Sequence, residues 1–348
     1  MDVLVAPEHG GDLARAIARY GIAASDWLDL SAAINPEPYA PPGLPAAVFQ
    51  QLPAPDEALR EAAASCYRGD HDAHLLAAAP GSQALIQWLP LLRETCRVAV
   101  PSVGYREHAF RWRWAGHQLF EYDARDPAAI ERALRDGADV LVVINPNNPL
   151  TTRYAAADLL KWLHRLQQRR GWLVVDEAFV DAQPEHTLAT AAGEPGLIVL
   201  RSLGKFFGLA GLRCGFALCE PTLAQALRVA IGPWPVSGPT AQVAEQALRD
   251  SPWQEHARLR LREHSRACAA LLAEAFGAQW VMAADLFISV ALPAERALAA
   301  QDRLARSGIW VRFIALDTQQ ALLRFGLVAH ESQAWQRLRY ALREISPC

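Results

Sequence analysis

One lysine constrains this chain more than any other residue. Lys205 follows the apolar run at 196–200 and lies in the segment 201–215, which contains four glycines and a second cation, Arg213, eight positions later. An amine at the end of a buried strand loses hydration, which favours its neutral, nucleophilic form. The segment therefore predicts a reactive lysine at the end of a strand. A solvated lysine in a glycine-rich loop is the alternative.

The apolar runs around this segment predict an α/β fold. They do not alternate with polar residues, and helical patterns separate them, which indicates a mainly parallel sheet covered by helices on both faces. Three such strands are predicted at Val140–Ile144, Trp172–Val175 and Leu197–Leu200. Ligands of such sheets bind at the carboxyl ends of the strands. Because Asn148, Asp176 and Lys205 each lie just past a predicted strand, we expect them to meet at one site.

The pattern along the chain predicts three regions. Residues 1–45 are proline-rich towards their end and predict an extended arm. Residues 46–235 carry the predicted parallel sheet and form a large domain. Residues 236–348 begin with a long helical stretch and continue into shorter strands and helices, which predict a smaller α/β domain.

Composition excludes several classes of protein. Of the 348 residues, 52% are apolar and 20% are charged, as in an ordinary globular enzyme. The net charge of −3 gives no electrostatic case for nucleic acid or an anionic membrane as a partner. The six cysteines include no Cys-x-x-Cys pair, so we expect reduced thiols, no metal site and a cytoplasmic protein.

The lysine segment carries a resemblance to a known family. Its pattern, Ser-x-Gly-Lys-x-x-Gly-Leu-Ala-Gly-x-Arg-x-Gly, resembles the Schiff-base segment of fold-type I enzymes that depend on pyridoxal 5'-phosphate. The resemblance implies that Lys205 binds this cofactor covalently and is the catalytic residue. It also implies that Ser202 and Arg213 bind the cofactor phosphate.

Other cofactor-binding residues follow from the same resemblance. Ser82 and Gln83 open a predicted helix after a Gly-Ser turn, where free backbone N–H groups can bind a phosphate, although such a turn is also an ordinary helix cap. Asp176 begins the motif Asp-Glu-Ala-Phe and would keep the ring nitrogen protonated. Asn148 would hydrogen-bond the 3-oxygen. Tyr105 would stack on the ring, unless Val103 takes that position.

Two arginines near the end of the chain indicate the substrate. Arg324 lies inside the apolar stretch 322–327, where an unpaired charge would be costly. In the family this arginine binds the substrate carboxylate as a planar, bidentate partner. Arg312 matches a second arginine of the family and would meet another anionic group. A salt bridge within the core is the alternative for Arg324.

Nearly the whole chain resembles the histidinol-phosphate aminotransferase-like group, and within it the threonine-phosphate decarboxylases. The features that favour the decarboxylase branch are the opening around His9 and Asn35, Phe179 with Asp181, and the segment at Arg324. The resemblance implies decarboxylation of L-threonine O-3-phosphate to (R)-1-aminopropan-2-yl phosphate in cobalamin biosynthesis, with His9 and Asn35 among the substrate-binding residues. It also implies a homodimer.

Alternatives remain open from the sequence. The same scaffold suits a histidinol-phosphate or aromatic aminotransferase, and a noncatalytic cofactor-binding protein is a second alternative. The chain also departs from the family at Leu52, where many relatives carry a tyrosine that reaches the partner subunit's cofactor phosphate. Leu150 and Thr151 replace the usual Thr-Gly. These departures leave the geometry of phosphate binding open.

Overall fold

The computed structural model describes residues 6–7, 10–41 and 43–345. The strands in this part of the chain are β1 (Leu28–Asp29), β2 (Leu76–Ala79), β3 (Arg97–Pro101), β4 (Gln118–Tyr122), β5 (Val140–Ile144), β6 (Trp172–Asp176), β7 (Leu197–Ser202), β8 (Gly215–Cys219), β9 (Val281–Ala284), β10 (Phe287–Pro293), β11 (Ile309–Trp310), β12 (Arg312–Ala315) and β13 (Gln320–Gly326).

The helices in the same ranges are α1 (Leu13–Tyr20), α2 (Ala47–Gln50), α3 (Glu57–Arg68), α4 (Ser82–Trp88), α5 (Glu107–Trp114), α6 (Pro127–Arg135), α7 (Ala156–Gln167), α8 (Pro221–Ile231), α9 (Gly238–Arg249), α10 (Ser251–Phe276), α11 (Ala294–Arg306) and α12 (Gln333–Arg343).

The chain divides into two compact units. The first unit includes Pro38–Asn148 and Thr152–Glu255 and contains a seven-stranded sheet in the order β2-β8-β7-β6-β5-β3-β4. The five strands from β7 to β4 are parallel, and β8 is antiparallel to both of its neighbours. All residues of β5 are buried, as expected for a strand with helices on both faces. The predicted mainly parallel α/β fold is confirmed.

The second unit contains two small sheets. It includes residues 10–37, Pro149–Thr151 and the chain from His256. Its larger sheet is antiparallel, in the order β12-β13-β10-β9, and β1 pairs in parallel with β11 in a sheet of two strands. The cross-strand neighbours Arg312 and Arg324 lie directly opposite each other in the β12–β13 ladder. This register brings the two predicted substrate arginines together.

The observed units differ from the predicted ranges at both ends of the large domain. Residues 10–37 are not an extended arm, because α1 and Trp27 bury apolar surface with Ala305, and β1 forms a ladder with β11. Helix α9 belongs to the first unit, where Thr240 donates a hydrogen bond from Oγ1 to the carbonyl of Leu212 (3.0 Å). The division falls at residue 255 instead of 235.

Several local predictions differ from the structure. The strands β4, β8 and β9 were not predicted, since β4 lacks an apolar run, β8 lies directly after the glycine-rich segment and β9 is only four residues long. The predicted strand from Trp310 to Ile314 is two strands, β11 and β12. The predicted interruption near Pro252 is a real helix boundary, where Asp250 accepts a hydrogen bond from the N–H of Trp253 (3.0 Å).

Candidate active site

Lys205 lies in the loop that follows β7. Its side chain is half-buried, and Nζ lies 5.4 Å from the ring centroid of Phe179. The next two residues, Phe206 and Phe207, are fully buried and pack against Trp253 with ring centroids 5.6 and 5.7 Å apart. This aromatic packing fixes the backbone directly after the lysine.

Asp176 ends β6 and is buried beside a histidine. Its Oδ2 lies 2.9 Å from Nε2 of His108, and its Oδ1 accepts a hydrogen bond from the N–H of Ala178 (3.1 Å). His108 is 2% exposed, so the pair is shielded from water. His108 was not among the predicted site residues. The available signal was its place near the start of the helix that follows Tyr105, three positions after that residue.

Three of the predicted phosphate-binding residues, Ser82, Ser202 and Arg213, lie near one another at the start of α4 and at the two ends of the lysine loop. The guanidinium of Arg213 packs over Gly81, where a Cβ atom would lie 2.5 Å from Nη2. Arg213 adopts a left-handed backbone conformation, with a φ of 55°, which directs its side chain there. Gly215 lies against the backbone N–H of Ser82, and Ser202 accepts a hydrogen bond at Oγ from the N–H of Gly204 (3.2 Å).

The side chain of Gln83 has partners of its own. It donates from Nε2 to Oε2 of Glu107 (2.5 Å) and accepts at Oε1 from the hydroxyl of Tyr105 (2.8 Å). A carboxylate only accepts, so Glu107 sets the orientation of the amide. Gln83 therefore holds the Tyr105 phenol, and its contribution to phosphate binding would come from its backbone N–H.

The predicted Asn148 lies in the loop after β5 and is half-buried. The preceding residue, Asn147, donates from Nδ2 to the carbonyl of Val103 (3.1 Å) and from its backbone to the carbonyl of Thr152 (2.8 Å). These bonds hold the Asn148 loop beside the segment of Val103 and Tyr105. The structure thus places the two candidates for ring stacking in one short segment.

The residues of the first unit suit pyridoxal phosphate. A half-buried amine, a buried carboxylate with a histidine partner, and a guanidinium packed over a glycine next to a helix start are the groups that an aldehyde, a pyridine nitrogen and a phosphate require. The individual roles of Lys205, Asp176 and Arg213 stay predictions.

The second unit contains an arginine pair, formed by Arg312 and Arg324. Both guanidiniums point at Gly10, whose Cβ position lies 3.0 Å from Nη1 of Arg312 and 3.2 Å from Nη2 of Arg324. Arg324 is 6% exposed and donates from Nη2 to the carbonyl of Ser31. The nearby carboxylate of Asp29 accepts hydrogen bonds from the backbone and the hydroxyl of Ser31 (2.8 and 2.6 Å).

The arginine pair places two cations side by side, one of them buried. Burial, and then the charge of Arg312, lower the pKa of Arg324 from its ordinary value to about 9, although Asp29 opposes this effect. A bound carboxylate or phosphate would supply the opposite charge that this environment favours. The pair is therefore suited to bind an anion, as the sequence predicts.

The remaining predicted residues have different positions. His9 lies outside the described residues. Asn35 is buried in the second unit and accepts a hydrogen bond at Oδ1 from the N–H of Glu37 (2.9 Å). Leu52 is 70% exposed, and Leu150 is buried. Of the helices that the structure describes, none combines the length and apolarity needed to span a lipid bilayer.

The chain matches the family described as aminotransferase class I and II over residues 48–343. It belongs to this family, and the predicted family membership is confirmed. Within the family, the chain is 47% identical to the threonine-phosphate decarboxylase of Pseudomonas aeruginosa, over 96% of this chain and 97% of that protein. It is 39% identical to the threonine-phosphate decarboxylase of a Sinorhizobium species, over 96% of this chain and 97% of that protein.

Other relatives share less with this chain. The histidinol-phosphate aminotransferase of Pectobacterium atrosepticum is 45% identical over 35% of this chain and 34% of that protein. The solved structure of histidinol-phosphate aminotransferase from Sinorhizobium meliloti, in complex with pyridoxal-5'-phosphate, has a TM-score of 0.82 at 22% identity and covers 99% of this chain and 97% of that chain. At this identity the structural likeness supports the fold alone.

Proposed function

We propose that this protein is a pyridoxal-phosphate-dependent decarboxylase that converts L-threonine O-3-phosphate into (R)-1-aminopropan-2-yl phosphate and carbon dioxide, in cobalamin biosynthesis. The observation that carries the proposal is the extent of the likeness. The 47% identity to a threonine-phosphate decarboxylase runs over 96% of the chain, whereas the likeness to a histidinol-phosphate aminotransferase covers 35%.

In this proposal the first unit holds the cofactor. Lys205 binds it covalently, Arg213, Ser202 and the backbone of Ser82 and Gln83 bind its phosphate, and Asp176, held by His108, partners the ring nitrogen. Asn148 hydrogen-bonds the 3-oxygen and Tyr105 stacks on the ring. When bound, the cofactor supplies an electron sink for the bond that breaks at the substrate's Cα.

Arginines bind the anionic groups of the substrate in this proposal. Arg324 binds the carboxylate with two parallel hydrogen bonds, and Arg312, with His9 and Asn35, binds the phosphate. A substrate with two anionic groups would match two neighbouring arginines. Loss of the carboxylate as carbon dioxide requires a proton in its place, and Lys205 Nζ delivers that proton to Cα.

The test is incubation of the cofactor-loaded protein with L-threonine O-3-phosphate and no keto acid, followed by measurement of carbon dioxide and of the amine. Equal amounts of both products are expected from the wild-type protein, and neither from Lys205→Ala. If the wild-type protein instead transfers the amino group of histidinol phosphate to 2-oxoglutarate, it is an aminotransferase and the decarboxylase proposal is wrong.

We infer that the protein works as a cytoplasmic homodimer. The first unit exposes large apolar side chains at Phe49, Leu52 and Trp234, which are 67%, 70% and 56% exposed. Such side chains suit an interface with a second copy. The described cysteines are all free thiols, which fits a reducing compartment. Light scattering that gives the mass of a single chain at micromolar concentration would contradict the homodimer.

A further inference from the structure

The first unit contains a buried polar cluster that the proposed chemistry does not use. This cluster, here the Arg201 cluster, consists of Tyr67, Glu177, Asp181, Thr187 and Arg201. Arg201 is 2% exposed and Glu177 is fully buried. A buried ionic group costs several kcal/mol of desolvation unless its partners are well placed, so such a cluster requires an explanation.

Arg201 is bound on several sides. Its Nη1 donates to Oε2 of Glu177 (2.9 Å) and to Oγ1 of Thr187 (3.0 Å), and its Nη2 donates to Oδ1 of Asp181. The guanidinium also lies 4.1 Å from the ring centroid of Tyr67. A planar guanidinium reaches all of these groups at once, whereas the ammonium of a lysine is a compact point charge on a flexible, unbranched stem.

The cluster connects the two strands that carry the reactive groups. Glu177 directly follows Asp176 at the end of β6, and Arg201 lies in β7, four positions before Lys205. The paired residues of the two strands end at Asp176 and Leu200, and the N–H of Glu177 donates to the carbonyl of Leu200 (3.0 Å). Beyond this point β6 and β7 no longer pair with each other, although β7 continues beside β8 to Ser202, so side chains such as Arg201 and Glu177 link the two backbones.

Glu177 also anchors the segment that follows it. Its carboxylate accepts hydrogen bonds from the N–H of Leu188 (2.7 Å) and from the hydroxyl of Thr187. The segment between them contains Phe179, which faces the amine of Lys205. Arg201 thereby holds both ends of the segment that passes beside the lysine.

We propose that Arg201 is a positioning residue, which fixes Asp176 and Phe179 relative to Lys205 by binding Glu177, Thr187 and Asp181. The inference rests on the proposed function, since it assigns Asp176 and Lys205 to the cofactor. Arg201 binds Glu177, Thr187 and Asp181, and through them it acts on Asp176 and Phe179. Its effect on the reaction is carried by the end of β6 and by the segment after it.

The variant that tests the proposal is Arg201→Lys, which keeps the charge and removes the planar fork. Its matched control is Arg60→Lys, because Arg60 binds the carboxylate of Asp56 (3.0 Å) and the carbonyl of Ala73 (2.5 Å) in the same unit, apart from the site residues. For both variants, the free energy of unfolding, the dissociation constant of pyridoxal phosphate, kcat and KM are measured.

Arg201→Lys is expected to weaken cofactor binding by about tenfold and to lower kcat by about tenfold or more, while KM changes by less than about threefold. Arg60→Lys is expected to lose stability without changing these constants. Equal effects of the two variants on kcat and cofactor binding would mean that Arg201 is only structural, and the proposal would be wrong. If Arg201→Lys does not fold, Asp181→Asn is measured in its place, with the same direction expected.

A second readout needs neither cofactor nor substrate. In the cofactor-free protein, the amide of Ala178 reports the hydrogen bond to Asp176, and the amide of Leu188 reports the bond to Glu177. Hydrogen exchange at both amides is expected to be about tenfold faster in Arg201→Lys than in Arg60→Lys. Unchanged exchange would contradict the proposal. A further outcome is that the wild-type protein releases no carbon dioxide while hydrogen exchange still differs between Arg201→Lys and Arg60→Lys. In that case the proposed function is wrong, and the positioning of Asp176 by Arg201 still holds.

Discussion

The two units each bury an arginine, and the surroundings of these arginines are opposite in charge. Arg201 faces two carboxylates, those of Glu177 and Asp181, which together with the other groups of its cluster keep its pKa above the ordinary value despite burial. Arg324 faces the guanidinium of Arg312, and its pKa is lowered to about 9. The first arginine is neutralised within the protein and serves stability. The second lies buried beside another cation, an arrangement that is expected to cost stability.

The comparison predicts opposite results for the same substitution at the two positions. Arg324→Met removes the bidentate partner of the carboxylate, so kcat/KM is expected to fall by about 10⁴-fold, or ~5 kcal/mol. The free energy of unfolding of the ligand-free protein is expected to stay the same or to rise, because a charge that burial disfavours has been removed. Steady-state kinetics and urea unfolding measure the two quantities. If the free energy of unfolding falls by as much as the ~5 kcal/mol lost in kcat/KM, the predicted difference between Arg324 and Arg201 is wrong.

Arg201→Met is expected to lower the free energy of unfolding by about 3–5 kcal/mol, because it leaves two buried carboxylates without their cation. Guanidinium unfolding, followed by circular dichroism, measures the change. The double variant with Glu177→Gln should recover part of the loss, since one uncompensated charge is then removed. A loss below ~1 kcal/mol would show that the Arg201 cluster adds little to stability.

Arg312→Gln tests whether the two arginines of the pair oppose each other. The variant is expected to raise KM for the phosphorylated substrate by about tenfold, or ~1.4 kcal/mol, with a smaller change in kcat. Removal of the neighbouring charge should also raise the pKa of Arg324. Arg303→Gln, on the exposed side of α11, is the control that changes net charge equally. Similar KM values for the two variants would contradict the assignment of Arg312.

The smallest expected effect is a pH dependence of stability. The pKa of Arg324 is lower in the folded than in the unfolded protein, so the folded protein releases this proton first as the pH rises. Above about pH 9 the unfolded chain therefore binds more protons, and the stability contributed by this group rises with pH. The difference in unfolding free energy between wild type and Arg324→Met should shrink by less than ~1 kcal/mol between pH 8 and pH 9.5. A constant difference over this range would contradict the lowered pKa.

The sequence predicts the centre of the large unit well, for a physical reason. The strands β5, β6 and β7 are apolar on both faces, so their runs of valine, leucine and isoleucine stand out in the sequence. The edge strand β4 is partly exposed and has no such run, which explains why it was not predicted. The positions of Lys205, Asp176 and Asn148 after their strands follow from the same pattern and from the family motif.

Side-chain partners could not be predicted in the same way. His108 reaches Asp176 across 68 positions of sequence, and Arg201 reaches Asp181 across 20. Contacts of this kind depend on how neighbouring strands and helices are aligned, and a single sequence does not predict that alignment. The same limit applies to residues 10–37, because the parallel ladder between β1 and β11 joins residues about 280 positions apart.

The order of the two units along the chain has a consequence for biosynthesis on the ribosome. The large sheet of the first unit is built from residues 76–219, so it can be completed while later residues are still being synthesised. The second unit joins residues 10–37 to the chain from His256, so its early segment must wait for strands made much later. During that interval the apolar side chains of α1 and Trp27 lack their native partners. Residues 10–37 are therefore the segment where a chaperone that binds nascent chains is expected to act.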